Sequence, residues 1–350
     1  MIQDVALQDV ELQNIALQEN LKDWRPMLKK YQQPDTSKAV IQILNSFLPY
    51  IGLWILMYFS LSWSYLITIG LSIPAAFFLI RIFVIQHDCG HQSFLKSRKV
   101  NNFLGFTSSA FSTIPYKFWS QTHNLHHAHN GQMEYRGIGD ITFLSTEEFQ
   151  ALPTWRRNLY RLFRSPAVTF FFAPIIYLIF SIRYPLVQIK AWKKVRRSHL
   201  LNNFALVIGY TTLAIFLGWK EFLLILVPTL FFFGMIAYWL FYIQHQHEEN
   251  YKAEKGQWDH LLASMRGSTY YKLPKLFQWL SGNIGFHHIH HLNSQIPNYH
   301  LERCVAENPI FNEYVTTLNF RQSLKCINLA LWYEQERRMI SFREYHRMQR

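Results

Sequence analysis

The stretch that decides the fold is AVIQILNSFLPYIGLWILMYFSLSWSYLITIGLSIPAAFFLI, residues 39–80, which contains no charged side chain. Its 42 residues are enough for two membrane-crossing helices, since one crossing takes about 20 apolar residues. We place these helices at 43–62 and 66–86, with a turn around Ser62–Ser64 between them. Burial inside a large soluble core could also produce such a run, but its length favours a membrane.

A second apolar pair follows, with predicted helices at 201–219 and 222–244 separated by only two charged residues. Because both connecting turns are short, each pair is expected to enter and leave the membrane on the same side, as a hairpin. The runs 100–116 and 165–182 are too polar or too short to span, so we expect them to be interfacial or re-entrant. The sequence therefore predicts an all-α integral membrane protein with four transmembrane helices in two hairpins.

The distribution of charge sets the orientation of these hairpins. The formal net charge is +13, and lysines and arginines flank the hairpins while the turns carry almost none. By the positive-inside rule, both hairpins open toward the cytoplasm. Since the basic residues follow the membrane boundaries, the charge does not indicate nucleic-acid binding. We expect a polar N-terminal segment that could be flexible (1–37), a membrane domain with a cytoplasmic helical cap (38–335) and a basic C-terminal tail (336–350).

Histidine is concentrated in four clusters: HDCGH at 87–91, HNLHH at 123–127, QHQHE around His245 and HHIHH at 287–291. On a helix, residues i, i+3 and i+4 share one face, so two or three rings project together from each cluster. Neutral imidazole is a good ligand for iron, zinc, copper or nickel. All four clusters lie on the predicted cytoplasmic side and can meet there. The candidate metal ligands and catalytic residues are His87, His91, His123, His126, His127, His245, His287, His290 and His291.

Nine ligands are too many for one ion, whereas two ions with four or five imidazoles each, and an open position, account for the number. A structural zinc site needs only four ligands and is closed. The carboxylate-rich di-iron site of helical bundles needs Glu-x-x-His pairs, which this sequence lacks. Three cysteines without a CxxC pair predict neither a disulfide framework nor a cysteine zinc site. Two imidazole-bound metals at a membrane surface indicate oxygen chemistry on a lipophilic substrate.

The HxxxH, HxxHH and HxxHH boxes, in this order, resemble those of the membrane fatty acid desaturase superfamily. The segments RIFVIQHDCGHQSF, RGIGDI and YYKLPKLFQWLSGNIGFHHIHHL, followed by IPNYHLE, resemble the bacterial acyl-lipid desaturases, relatives of the omega-6 (delta-12) and delta-5 type enzymes. The resemblance runs from about residue 38 to about residue 335. It implies two Fe²⁺ ions held by the nine histidines, with O₂ as co-substrate reduced to water while a double bond is introduced into acyl chains of membrane lipids.

The resemblance also implies groups that orient the ligands, and a partner. Candidates for orienting groups lie in or beside the matching motifs: Asp88, Asp140, Asn283, His129, His247 and His288. Phe241 stands where the acyl-CoA branch of the superfamily has an Asn that contacts iron through water. Trp239, Tyr242 and Phe286 could line an acyl tunnel or simply pack.

The chain has no haem, flavin or iron–sulfur motif, so a separate ferredoxin or cytochrome b5 is implied as electron donor. The basic clusters 190–197 and 337–350 could dock such an acidic carrier.

Two other functions fit parts of the pattern. An acyl-chain or carotenoid hydroxylase carries the same histidine boxes, so product analysis is what separates it from a desaturase. A histidine-rich metal transporter would place its site near the bilayer midplane, with ionisable residues inside the spans. Apart from Arg81, the predicted spans lack charged residues, and the histidines lie at their ends, which disfavours transport. The predicted protein is a multi-pass membrane enzyme whose catalytic face is cytoplasmic.

Overall fold

The computed structural model describes residues 2–184 and 193–350, and side chains from residue 11 onward. The chain is mostly helical. The helices of the described part are α1 (Ile2–Asn20), α2 (Trp24–Lys29), α3 (Thr36–Ser60), α4 (Tyr65–Gly90), α5 (Arg98–Ser112), α6 (Tyr116–His129), α7 (Thr146–Ala151), α8 (Thr154–Phe163), α9 (Ala173–Ile179), α10 (Lys193–Leu217), α11 (Trp219–His245), α12 (His260–Met265), α13 (Lys275–Leu280), α14 (His287–Leu292), α15 (Asn298–Glu307), α16 (Phe320–Cys326) and α17 (Phe342–Met348).

Two small sheets accompany the helices, which the prediction of an all-α protein missed. Their strands are β1 (Leu144–Ser145), β2 (Thr269–Tyr271), β3 (Thr316–Leu318), β4 (Leu329–Tyr333) and β5 (Arg338–Ser341). One sheet has the order β1-β4-β5, and the other pairs β2 with β3 in parallel. Strands of two to five residues are too short to carry a readable alternation of apolar and polar side chains.

Four helices, α3, α4, α10 and α11, are long and apolar enough to cross a membrane. Each overlaps one of the four predicted spans. Helix α4 continues past its predicted end at residue 86 as far as Gly90, because residues 87–89 contain neither proline nor glycine. Helix α11 likewise ends at His245. Both helices therefore carry histidines in their last turns.

Helix α4 is the centre of the bundle and packs against α3, α5 and α11. Half of its most apolar window is buried, compared with 11% for α10. The core includes Leu79, Ile82, Phe233 and Ile243. Helix α10 instead presents apolar side chains outward, which fits a helix that faces lipid.

The two runs expected to be interfacial or re-entrant are irregular helical segments. Helix α5 covers most of 100–116 and ends at Ser112, where the next residue, Thr113, has a φ of +63°. Helix α8 and the segment Val168–Arg183 form a pair bent by 58°, which would count as a fifth crossing only if the bent pair were one span. The interfacial or re-entrant placement remains a prediction.

Both ends of the chain are folded against the cap, by which we mean the residues outside the four helices α3, α4, α10 and α11. In the N-terminal segment, Leu17, Leu21, Trp24 and Leu28 are buried against residues of α12, α14 and α15. Residues 336–350, expected to form a tail, contribute β5 and α17. Strand β5 pairs antiparallel with β4 and buries two apolar side chains, so these residues have a packed face despite their charge. Part of the basic cluster 190–197 lies outside the described residues.

Candidate metal centre

The first two histidine clusters meet because α4 and α6 approach closely at a glycine. A Cβ at Gly90 would lie 2.8 Å from the Cβ of Ser120 on α6, which is closer than real side chains pack. His87 occupies the last turn of α4, and His91 caps the helix. The ring centroid of His87 lies 4.8 Å from that of His123. A small residue at position 90 thus allows the first cluster to reach the second.

Helix α6 supplies His123, His126 and His127, whose i, i+3 and i+4 spacing does not aim all three rings at one point. The Nε2 atoms of His123 and His127 lie 3.0 Å apart. The Nε2 of His126 lies instead 3.2 Å from that of His245 on α11. Helix α6 therefore contributes ligands in two directions.

The nine predicted ligands form two groups. In each of two sets of histidines, the candidate ligand nitrogens lie within 4.8 Å of one another. His287 joins the smaller set, because its Nε2 is 2.9 Å from that of His245 and 3.0 Å from that of His291. The five-histidine group consists of His87, His91, His123, His127 and His290. The four-histidine group consists of His126, His245, His287 and His291.

The donor set fits two metal ions. All nine imidazoles are buried, and the Nε2 atoms of His87 and His91 have no hydrogen-bond partner in the described part of the chain. Neighbouring Nε2 atoms are 2.9 to 3.2 Å apart. Ligands at right angles around an ion, with metal–nitrogen distances of about 2.1 Å, are separated by about 3.0 Å. Buried lone pairs at this spacing are what coordination requires.

The protonation states agree with this role. Burial, and to a smaller extent repulsion from the other imidazoles, holds the pKa of His123, His127 and His290 well below the usual range. The pKa of His126 is lowered to about 3 for the same reasons. These rings are therefore neutral near pH 7, and a neutral imidazole has a lone pair to offer.

Asp88 orients the first cluster. The Nδ1–H of His87 donates to Asp88 Oδ1 at 2.9 Å, which leaves Nε2 facing the group. The other carboxylate oxygen accepts from the backbone N–H and the side-chain amide of Asn298, at 2.7 and 2.8 Å. Through this buried carboxylate, the start of α15 fixes the rotation of a ring on α4.

The other predicted orienting groups lie further from the rings. Asp140 accepts from the Ile141 N–H, and its Oδ2 lies 3.9 Å from Lys252 Nζ. Asn283 donates to the Asn298 carbonyl at 3.1 Å, one step behind Asp88.

The three histidines among these candidates belong to neither group. His129 pairs with Gln132 and stacks on Tyr135. His247 donates to the Arg266 carbonyl at 3.1 Å. His288 is buried, and neither ring nitrogen has a partner among the described residues.

Sequence reasoning missed several supporting residues. Asn298 lies within the segment IPNYHLE, but no sequence pattern indicated that it contacts Asp88. The Gly267 carbonyl accepts from His245 Nδ1 at 3.1 Å, and a backbone acceptor leaves no signal in the sequence. The ring of Trp119 stacks on His123 with centroids 4.5 Å apart. Phe241 contacts the rings of His126 and His245, with centroids 5.8 and 5.2 Å away.

The aromatic residues considered for an acyl tunnel take part in packing contacts. Trp239 Nε1 donates to the Tyr271 hydroxyl at 3.4 Å, and the Tyr242 hydroxyl donates to the Leu329 carbonyl at 2.8 Å. The ring of Phe286 stacks on Tyr270 at 5.0 Å. The contacts of Trp239 and Tyr242 tie α11 to residues outside the membrane helices, whereas the stack of Phe286 on Tyr270 joins two residues that both lie outside those helices.

Comparison with known proteins identifies the family. Residues 61–321 match the family model described as fatty acid desaturase. The chain is 40% identical over 314 residues to a fatty acid desaturase of Bacillus subtilis, covering 89% of this chain and 88% of that one. It is 27% identical over 275 residues to an sn-1 oleoyl-lipid 12-desaturase of a Picosynechococcus species, covering 77% and 78% of the two chains.

A third relative is an sn-1 acyl-lipid omega-3 desaturase (ferredoxin) of a Synechocystis species, 27% identical over 253 residues, which are 67% of this chain and 65% of that one. The residues 61–321 that match the family model include all four histidine clusters and the helices α4, α10 and α11. This membrane protein therefore belongs to the fatty acid desaturase family and is an oxidoreductase that introduces double bonds into fatty acyl chains.

Proposed function

We propose that the chain desaturates acyl chains of membrane lipids, with two Fe²⁺ ions in the histidine groups and O₂ as co-substrate. The observation that carries this proposal is the convergence of nine buried imidazoles in two adjacent groups. Imidazole ligands suit iron, and no carboxylate belongs to either group among the described residues. The relatives that act on oleoyl-lipid and acyl-lipid substrates favour lipid-bound chains over free fatty acids.

In this proposal each histidine group holds one ion. The five-histidine group would take its ligands from α4, α6 and α14, and the four-histidine group from α6, α11 and α14. When bound, the iron supplies the reduction of O₂ and the removal of hydrogen from two adjacent methylenes of the acyl chain. The chain's own part is to orient the rings and exclude bulk water: Asp88 holds His87, the Gly267 carbonyl holds His245, and burial keeps the imidazole of His126 neutral.

The acyl chain is expected to approach from the helical bundle, where aromatic rings cover both groups. Trp119 stacks on His123 of the five-histidine group and contacts Phe83 with ring centroids 4.9 Å apart. Phe241 lies against His126 and His245 of the four-histidine group. These side chains are apolar surfaces beside the ligands, suited to contact methylene groups.

The proposed topology has α3–α4 and α10–α11 as two hairpins and the histidine cap on the cytoplasmic side. The positive flanks of the hairpins support this orientation, and α4 and α11 both end in histidine ligands. Electrons would come from a separate ferredoxin or cytochrome b5, without a haem or flavin bound to this chain.

The test is to express the chain in a host that lacks polyunsaturated lipids and to analyse lipid acyl chains by gas chromatography–mass spectrometry. We expect new double bonds that disappear in His126→Ala and persist in His346→Ala, a histidine that lies outside both groups and pairs with Arg161. Hydroxylated chains would assign the protein to the hydroxylases instead. An iron-loaded protein that forms no product with a competent donor would contradict the acyl-lipid substrate.

A further inference from the structure

A cleft of about 490 Å³ opens from the surface of the cap onto the metal centre. Its lining includes His127 and His291, one from each histidine group. Their rings stack with centroids 4.1 Å apart and planes inclined by 22°. The cleft therefore reaches the two groups at the place where they touch.

One wall of this cleft comes from the N-terminal segment. Trp24 and Arg25 of α2 line it together with Asn124 and His260. The Arg25 guanidinium lies 4.8 Å over the Trp24 ring, and that ring lies 6.0 Å from the His260 ring. Since Trp24 is buried, these contacts fix a cation at the rim. Residues 1–37, which supply this wall, lie outside the part of the chain that matches the family model.

The rim is positively charged. Residues 21–33 contain four cationic side chains and one carboxylate. Arg25 and Lys29 are exposed and, at i and i+4 in α2, share a face. Lys30 is paired with Glu307 at 2.6 Å. Among the side chains that the structure describes, no carboxylate lies within 4.0 Å of Arg25 or Lys29. Unpaired cations on a rim steer an acidic partner toward it.

We infer that this cleft is the docking site of an acidic electron-carrier protein, and that electrons enter at the edges of His127 and His291. The inference rests on the proposed function. For each double bond, one O₂ becomes two waters by taking two hydrogen atoms from the acyl chain, two electrons from the carrier and two protons from solvent. Polar residues such as Asn124, Asn293 and Ser294 line the cleft, which suits a wet protein interface and not the entry of an acyl chain.

The docking site predicts which basic residues matter. Arg25→Glu combined with Lys29→Glu reverses the charge of Arg25, which lines the cleft, and of Lys29, one turn further along α2, whereas Lys193→Glu combined with Lys194→Glu reverses two exposed charges at the start of α10. Reduced [2Fe–2S] ferredoxin and, in parallel, the soluble domain of cytochrome b5 serve as carriers for the iron-loaded full chain in nanodiscs. Dithionite-reduced methyl viologen, which needs no protein interface, provides the reference rate.

We expect the rim variant to raise the KM for the effective carrier on the order of tenfold and to lower the ratio of carrier-driven to viologen-driven turnover, with a weaker salt dependence than the wild type. The α10 variant should change the KM less than twofold, an estimate based on its position outside the cleft. An unchanged KM in the rim variant, or a larger effect in the α10 variant, would overturn the docking site.

Binding separates failure of this inference from failure of the proposed function. Carrier affinity for the nanodisc protein is measured without turnover, so it is informative even if no double bond forms. Wild-type binding that the rim variant loses supports the docking site whatever the product is. Double bonds formed by a rim variant with wild-type affinity would retain the proposed function and reject the docking site, as would a wild-type protein that binds neither carrier.

Discussion

The two histidine groups hold their rings in different ways. In the five-histidine group, a side-chain carboxylate orients His87, and two donors from Asn298 hold that carboxylate in turn. In the four-histidine group, a backbone carbonyl orients His245, and the apolar ring of Phe241 lies beside it. One group depends on a side chain that substitution can remove. The other depends on the path of the backbone around Gly267, so the two should respond differently to mutation.

The largest expected effect comes from removing one ligand from each group. His245→Ala leaves three imidazoles in its group, whereas His91→Ala leaves four. We expect desaturation to fall below about 1% of wild type in both variants, because the proposed function gives each ion a part in the reaction. Iron content should separate them: about one ion per chain in His245→Ala, and close to two in His91→Ala.

Elemental analysis of the purified protein, beside acyl-chain analysis of the same membranes, measures both quantities. His346→Ala is the matched control for histidine removal. Equal iron loss in the two ligand variants would show that the groups do not bind ions independently.

The next effect tests the carboxylate itself. Asp88 accepts three hydrogen bonds and faces donors on both sides. An asparagine would offer one acceptor oxygen and one NH₂, so a donor would face a donor at one side. We expect Asp88→Asn to lower activity about 10- to 100-fold, the usual cost of losing a group that orients a metal-bound histidine.

Asp140→Asn is the comparison for this variant, because Asp140 has no hydrogen bond to a ligand ring in the described structure. It should reduce turnover less than Asp88→Asn does. Rates measured at equal iron loading distinguish a loss of orientation from a loss of metal. A larger effect at Asp140 would assign the orienting role to the wrong carboxylate.

The sequence predicted the candidate ligands but not how they divide between the two histidine groups. The i, i+3 and i+4 spacing placed His123, His126 and His127 near one face of α6, and all three do reach the centre. Yet His126 joins a different group from its neighbour His127. That division depends on the rotation of α6 against α4, which is fixed by the close approach at Gly90. Such long-range packing has no local pattern in the sequence.

The four membrane helices were predictable because an uncharged run long enough for two crossings is rare in a soluble fold. The packed ends of the chain were not. Leu17 and Leu28 look like scattered apolar residues in a polar segment, and only the surface provided by α12, α14 and α15 makes them core residues. Strand β5 likewise exists because β4 is there to pair with it.

The smallest expected effect concerns His288, which lies between ligands in the same cluster. Its ring is buried, belongs to neither group and lies 5.9 Å from the ring of Tyr270, and neither nitrogen has a partner in the described chain. A buried polar group without a partner costs about 1 to 3 kcal/mol, so replacing it with an apolar side chain of similar size removes that cost. We therefore expect His288→Leu to keep the wild-type iron content and an activity within about twofold, with an equal or higher thermal midpoint.

His287→Leu, one residue away, should lose both iron and activity because it removes a member of the four-histidine group. Loss of iron in His288→Leu would mean that this ring supports the centre through a contact beyond packing. Retention would show that, within HHIHH, the direction of each ring and not the number of histidines determines which residues bind metal.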